Sequence, residues 1–146
     1  MIQPATPADY RELLRVWEAS VRSTHHFLAE EDLQYYKSQI TDHYFPHVRL
    51  HLIRNPQQEI VAFIGLSEEL IETLFIHPFY QKRGYGKMLL EFAAREYRIF
   101  RVDVNEQNRQ ALDFYQHQGF EIINRSATDS AGKPYPILHL QAKEPK

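Results

Sequence analysis

Between a run that reads as a strand and one that reads as a helix lies Gln81-Lys82-Arg83-Gly84-Tyr85-Gly86-Lys87, which combines two glycines with three cations. The first N–H groups of a helix have no internal partner and the helix dipole adds positive character, so a helix opening on such a loop is suited to hold phosphate. Gly84 and Gly86 allow the backbone to come close to a ligand, and Lys82, Arg83 and Lys87 add charge around it. Two nucleotide motifs fail on the letters. A P-loop requires glycine at 81 and Ser or Thr at 88, where the chain has Gln81 and Met88; a dinucleotide fingerprint requires a third glycine at 89, where it has Leu89. Taken alone, the loop also reads as a turn that opens a solvated helix.

A second stretch runs Val102-Asp103-Val104-Asn105-Glu106-Gln107-Asn108 and continues through Ala111-Leu112-Asp113-Phe114-Tyr115 to Gly119-Phe120. Asn108 is placed to cap a short helix over residues 111–118, and Gly119 to end it. On periodicity alone Tyr115 is a core residue of that helix. The chain has no cysteine, and no serine lies in a G-x-S-x-G elbow, so neither an acyl-cysteine mechanism nor a serine nucleophile of that kind is available. His43, His47 and His51 stand four residues apart, but Pro46 and a change to strand periodicity break the helical face on which they would converge, so no metal is expected.

The elements that must position these residues follow from the spacing of apolar positions. Thr6, Pro7 and Asp9 mark a helix start, and Tyr10, Leu13, Leu14, Trp17 and Val21 fall on one stripe. A second helix is expected over residues 30–40. Strands follow from Val48, over the almost continuously apolar run 60–66, and over 70–76, ending at His77-Pro78. An amphipathic helix begins near Tyr85; a strand over 99–104, the short helix and two strands near 120–127 and 135–141 complete the order. The result is an α/β chain with a mixed sheet. With 146 residues, 43% of them hydrophobic, and no Gly/Ser/Pro-rich linker, residues 1–146 read as a single domain. A net charge of −2 counts against nucleic acid as a partner. No apolar run is long enough to span a membrane and the first residues lack the order of a signal peptide, so a cytoplasmic location is expected.

Gln81-x-x-Gly84-x-Gly86 together with Asn105-x-x-Asn108-x-x-Ala111-x-x-Phe114-Tyr115-x-x-x-Gly119-Phe120 resembles the two core motifs of GNAT N-acetyltransferases, and the element order from Thr6 onward resembles that fold across the whole chain. Thr24-His25-x-Phe27-Leu28 and Gly132-Lys133-Pro134-Tyr135-Pro136 look like the YjaB type among the small stand-alone bacterial members. The resemblance implies a central, mostly antiparallel sheet flanked by helices, with a splay between the strands near 70–76 and 99–104. It implies acetyl-CoA as co-substrate: the backbone of Leu74 and Ile76 pairs with the pantetheine arm, and residues 82–87, including Tyr85, hold the pyrophosphate beside Gln81. Asn108 hydrogen-bonds the pantetheine, and Phe114 belongs to the same site.

The implied reaction is direct transfer of acetyl from acetyl-CoA to a primary amine, of a small molecule, a protein lysine or an N-terminus, within a ternary complex. Tyr115 is then the acid for the departing thiolate, since a phenol donates a proton without first being charged. The base is sought among carboxylates on or before the strand ending at Ile76, which gives Glu72 or Glu69; both also read as solvated strand-end carboxylates. Thr24, His25 and Phe27 fall where this family shapes its acceptor pocket. His25 and its neighbour His26 read either as exposed loop residues or as a proton relay. A different class of function, a non-catalytic acyl-CoA-binding sensor or interaction module, would keep the fold without turnover. The expected assembly is a monomer or homodimer.

Overall fold

The computed structural model describes residues 1–143. Seven strands, β1 (Ile2–Pro4), β2 (Arg49–Arg54), β3 (Ile60–Leu66), β4 (Ile71–Ile76), β5 (Arg101–Asn105), β6 (Phe120–Ser126) and β7 (Ile137–Ala142), form one sheet in the order β1-β2-β3-β4-β5-β7-β6. Four helices, α1 (Tyr10–Thr24), α2 (Glu30–Gln39), α3 (Tyr85–Tyr97) and α4 (Arg109–His117), cover its two faces. β3 is buried along its whole length, which is why its sequence is apolar without alternation.

One cluster joins Leu13, Trp17 and Val21 of α1 and Leu33 of α2 to Leu52 and Phe63 of the sheet. The other joins Leu89 and Ala93 of α3 and Leu112 and Tyr115 of α4 to Ile64, Ile71 and Val102. Leu13 and Leu89 are fully buried, and each such side chain contributes roughly 2 kcal/mol by leaving water.

All strand neighbours are antiparallel except β4 and β5, which run parallel and pair only through Ile71 and Val102. Beyond that pair the two strands separate towards Ile76 and Asn105, giving the expected splay. On β4 the register slips: Gly65 pairs with Thr73 and Leu66 with Ile71, so Glu72 has no partner opposite it. This bulge interrupts the alternation that would have placed Glu72 with Leu74 and Ile76.

Three departures from the sequence reading have local causes. β1 was not foreseen, because three residues ending in Pro4 carry no period; it is fixed from outside, by pairing with β2. The first helix opens on a 3-10 turn, Pro7–Asp9, in which the Asp9 carboxylate accepts from the Thr6 N–H at 2.9 Å. After α2 the chain winds through a π-helical turn, Ile40–Tyr44, and a 3-10 turn, Phe45–His47. His43, His47 and His51 therefore stand on three different elements. Among the described residues no group of three or more His, Asp or Glu side chains is placed to hold a metal ion.

Candidate active site

The splayed end of β4, the start of α3, one face of α4 and the last turn of α1 enclose a cleft of about 560 Å³. From β4, Leu74 and Ile76 line it. The Ile76 carbonyl is already engaged, accepting from the Ser20 hydroxyl at 2.7 Å and from the Gln81 side-chain amide at 3.1 Å. Gln81 thus ties the glycine loop back to the strand, a role that its position in the motif alone did not reveal. Ser20, a buried polar residue of α1, was not singled out from sequence, since a serine on an apolar stripe carries no mark of its partner.

The loop itself has the properties expected of a phosphate site. Lys82 and Gly84 both have left-handed backbone, with φ of +61° and +87°. Gly84 caps α3, and the first helical bond runs from Met88 N–H to the Gly84 carbonyl. The N–H groups of Tyr85, Gly86 and Lys87 consequently have no acceptor among the described residues, and all three residues line the cleft. Lys82 contributes its charge there as well, whereas the Arg83 guanidinium lies over the Tyr80 ring, 5.1 Å from its centroid.

The two glycines do different things. A Cβ on Gly84 would meet nothing within 4 Å, so backbone conformation calls for that glycine. A Cβ on Gly86 would come within 2.9 Å of Phe114 Cζ and 3.1 Å of Ile76 Cδ1. Gly86 is there for packing: it lets the first turn of α3 close against α4.

On α4, the Asn108 side-chain oxygen accepts from Ala111 N–H at 3.2 Å and caps the helix. Phe114 and Tyr115 line the cleft. Tyr115 is 6% exposed. Its hydroxyl has no hydrogen-bond partner among the described residues, and burial raises its pKa, so the phenol stays protonated at neutral pH.

At the end of α1, Thr24 and His25 line the cleft opposite α4. The Thr24 hydroxyl lies 2.7 Å from His25 Nδ1, and His25 Nε2 lies 3.5 Å from the Asn108 amide nitrogen. Burial depresses the His25 pKa to about 4, with the neighbouring His26 adding to the effect. Phe27 stands behind, its ring 5.2 Å from that of His25 and 6.0 Å from that of Tyr135.

Tyr135 belongs to a clasp between α2 and the segment joining β6 to β7. Its hydroxyl donates to Asp32, the Tyr36 hydroxyl donates to Asp129, and Lys133 pairs with Asp32 at 2.9 Å. Sequence reasoning noted Lys133 and Tyr135 within a motif but not the two aspartates that hold them.

The carboxylates expected as bases lie elsewhere. Glu69 lines a separate hollow with Glu68, Arg101, Asp103 and His139. Glu72, displaced by the bulge, accepts from the Ser67 hydroxyl at 2.9 Å and does not line the cleft. Near that hollow, Ser126, His139 and Asp103 are linked in the order of a hydrolase triad, at 2.7 Å for each contact. Ser126 lines neither of these two cavities, and the ladder joins three strands, β5, β7 and β6.

Comparison with known proteins adds independent observations. A family model described as an acetyltransferase (GNAT) domain matches residues 46–122. The chain is 38% identical over 129 residues to the peptidyl-lysine N-acetyltransferase YjaB of Salmonella typhimurium, covering 88% of each. It superposes on the solution structure of apo YjaB from Escherichia coli with a TM-score of 0.90 at 33% identity, over 99% of this chain and 98% of that one. A PaiA N-acetyltransferase from Thermoplasma acidophilum, solved in complex with coenzyme A, shares the fold with a TM-score of 0.77 at 18% identity, over 97% and 98% of the two chains.

Proposed function

The chain belongs to the GNAT acetyltransferase family and transfers acetyl from acetyl-CoA to an amine; from that premise we propose that the amine is a lysine side chain of a protein, acetylated directly within a ternary complex in the cytoplasm. The observation that carries this reading is one cleft that joins a helix terminus suited to phosphate to a tyrosine whose hydroxyl has no partner among the described residues. The lysine acceptor is supported by the relative that is 38% identical and named for peptidyl-lysine.

The residues present suit the co-substrate. The unpaired N–H groups at 85–87, with Lys82 and Lys87, match a pyrophosphate, and the apolar side chains of Leu74 and Phe114 match an uncharged arm. Acetyl-CoA supplies an acetyl group activated as a thioester. The chain's own residues do the rest. The separated strands admit an extended ligand beside β4. Asn108, fixed by its cap bond, points its amide nitrogen into the cleft, and Tyr115 offers a proton where the sulfur departs. The walls hold both partners in reach of one another, which removes much of the entropy cost of bringing two molecules together.

The test is incubation of the full chain with acetyl-CoA and lysine-bearing peptides, with released thiol and peptide mass as readouts. Acetylation on the lysine Nζ supports the reading. Transfer only to peptide N-termini or to small polyamines would replace the acceptor, and no transfer to any amine would leave a binding module.

A further inference from the structure

Neither Glu69 nor Glu72 is in the cleft, whereas His25 is. The Thr24 hydroxyl lies 2.8 Å from the Ser20 carbonyl and 2.7 Å from His25 Nδ1; with its one proton given to the carbonyl, it offers Nδ1 a lone pair. Nδ1 therefore carries the single imidazole proton, and Nε2 is left with a bare lone pair. From the opposite wall, Asn108 has committed its oxygen to Ala111 N–H, which turns its amide nitrogen towards His25 Nε2. Both ends of this chain rest on backbone groups of helix termini. At 3.5 Å the contact across the cleft is the longest in the chain, so the lone pair stays open to a better donor.

Such a donor would be an amine. Among the described residues no carboxylate pairs with His25; the titratable groups around it are His26 beside it and Tyr80, Lys82, Tyr85, Lys87, Asp113, Tyr115 and His117 along the same cleft. We propose that His25 is a catalytic residue for acetyl transfer, its Nε2 taking the proton of the attacking amine. This rests on reading the cleft as the transfer site. Nε2 receives the amine N–H and aims the nitrogen lone pair at the thioester carbon. As the nitrogen–carbon bond forms and the carbon–sulfur bond breaks, Nε2 takes the amine's proton and Tyr115 gives one to the sulfur. Both groups then reset against water.

The low basicity of His25 fits the timing. A group titrating near pH 4 does not strip a free ammonium ion, so it receives a neutral amine. Once the nitrogen begins to bond to carbonyl carbon its N–H acidity rises steeply, and a weak, correctly placed acceptor then suffices. Holding His25 neutral also keeps it from becoming a second cation facing a basic acceptor.

The test combines spectroscopy on the unmodified protein with kinetics on His25→Ala and His25→Gln. Nitrogen-15 NMR of the His25 ring at pH 7 should find Nδ1 protonated and Nε2 bare. Both variants should keep acetyl-CoA affinity within about threefold of wild type by calorimetry. His25→Ala should lose about 100-fold in kcat, and added imidazoles should restore activity in proportion to their basicity. His25→Gln can accept a hydrogen bond but not a proton, and should stay slow. An Nε2-protonated ring, variant activity within about threefold of wild type, full activity in His25→Gln, or a loss that imidazoles do not repair overturns the proposal. Wild-type protein that acetylates no amine overturns the transfer reading itself, a failure visible before any variant is made.

Discussion

Tyr115 unites two properties that a packing residue would not need together: a hydroxyl without a hydrogen-bond partner among the described residues, and a place on the wall of the cleft. Removing that hydroxyl costs no native hydrogen bond, so Tyr115→Phe should melt no lower than wild type, yet lose about 10²-fold or more in kcat with acetyl-CoA affinity little changed. Calorimetric titration beside steady-state kinetics separates the two effects. The glycines give a second residue-level test. Gly86→Ala drives a methyl group into Phe114 and should cost about 1–3 kcal/mol in urea unfolding, part of it recovered by Phe114→Leu. Gly84→Ala has space but keeps a left-handed backbone, about 1–2 kcal/mol of strain that no neighbouring substitution relieves. Their letters in the motif are identical. Only the crossing of α3 and α4, which no local pattern encodes, tells them apart.

At the scale of elements, the clasp between α2 and the β6–β7 segment backs the loop after α1, through the Tyr135 ring against Phe27 and Phe27 against His25. Asp129→Asn weakens the Tyr36 contact and should speed hydrogen exchange in residues 127–136 and in α2, leaving α3 and the glycine loop protected. Asp32 is held below its ordinary range by the Tyr135 and Lys133 hydrogen bonds. Its contribution is therefore present above the ordinary aspartate value and lost as the pH falls through the depressed one, so exchange in the clasp should quicken in acid before the sheet responds. The elements themselves were largely legible: β3 from its unbroken apolar run, and α1 and α3 from stripes three and four residues apart. The clasp was not, since Tyr36 and Asp129 lie 93 positions apart and Asp32 and Tyr135 lie 103 apart. The facing of Glu72 was not legible either, because alternation along β4 holds only until the bulge opposite Gly65 interrupts it.

For the molecule as a whole, the neutral histidine in the cleft sets a pH dependence of stability. Between its ordinary value of 6.5 and about 4, the unfolded chain binds a proton at His25 that the native state does not, so stability falls as the pH drops through that window, by up to about 3 kcal/mol. Urea unfolding at pH 7 and pH 4.5 should show the loss, and His25→Gln should reduce it. The place of β7 bears on how such a molecule comes into being. It comes after β5 and β6 in the chain, the last of the described strands, yet it lies between those two, which have no contact through the sheet except by way of it. While the chain is still emerging, β1 to β4 can pair in order, whereas β6 has nowhere to attach and α4 lacks part of the floor it rests on. The wall carrying Asn108 and Tyr115 is thus completed only when β7 slots in, so a nascent chain can hold its first half folded and remain inert until that strand has emerged.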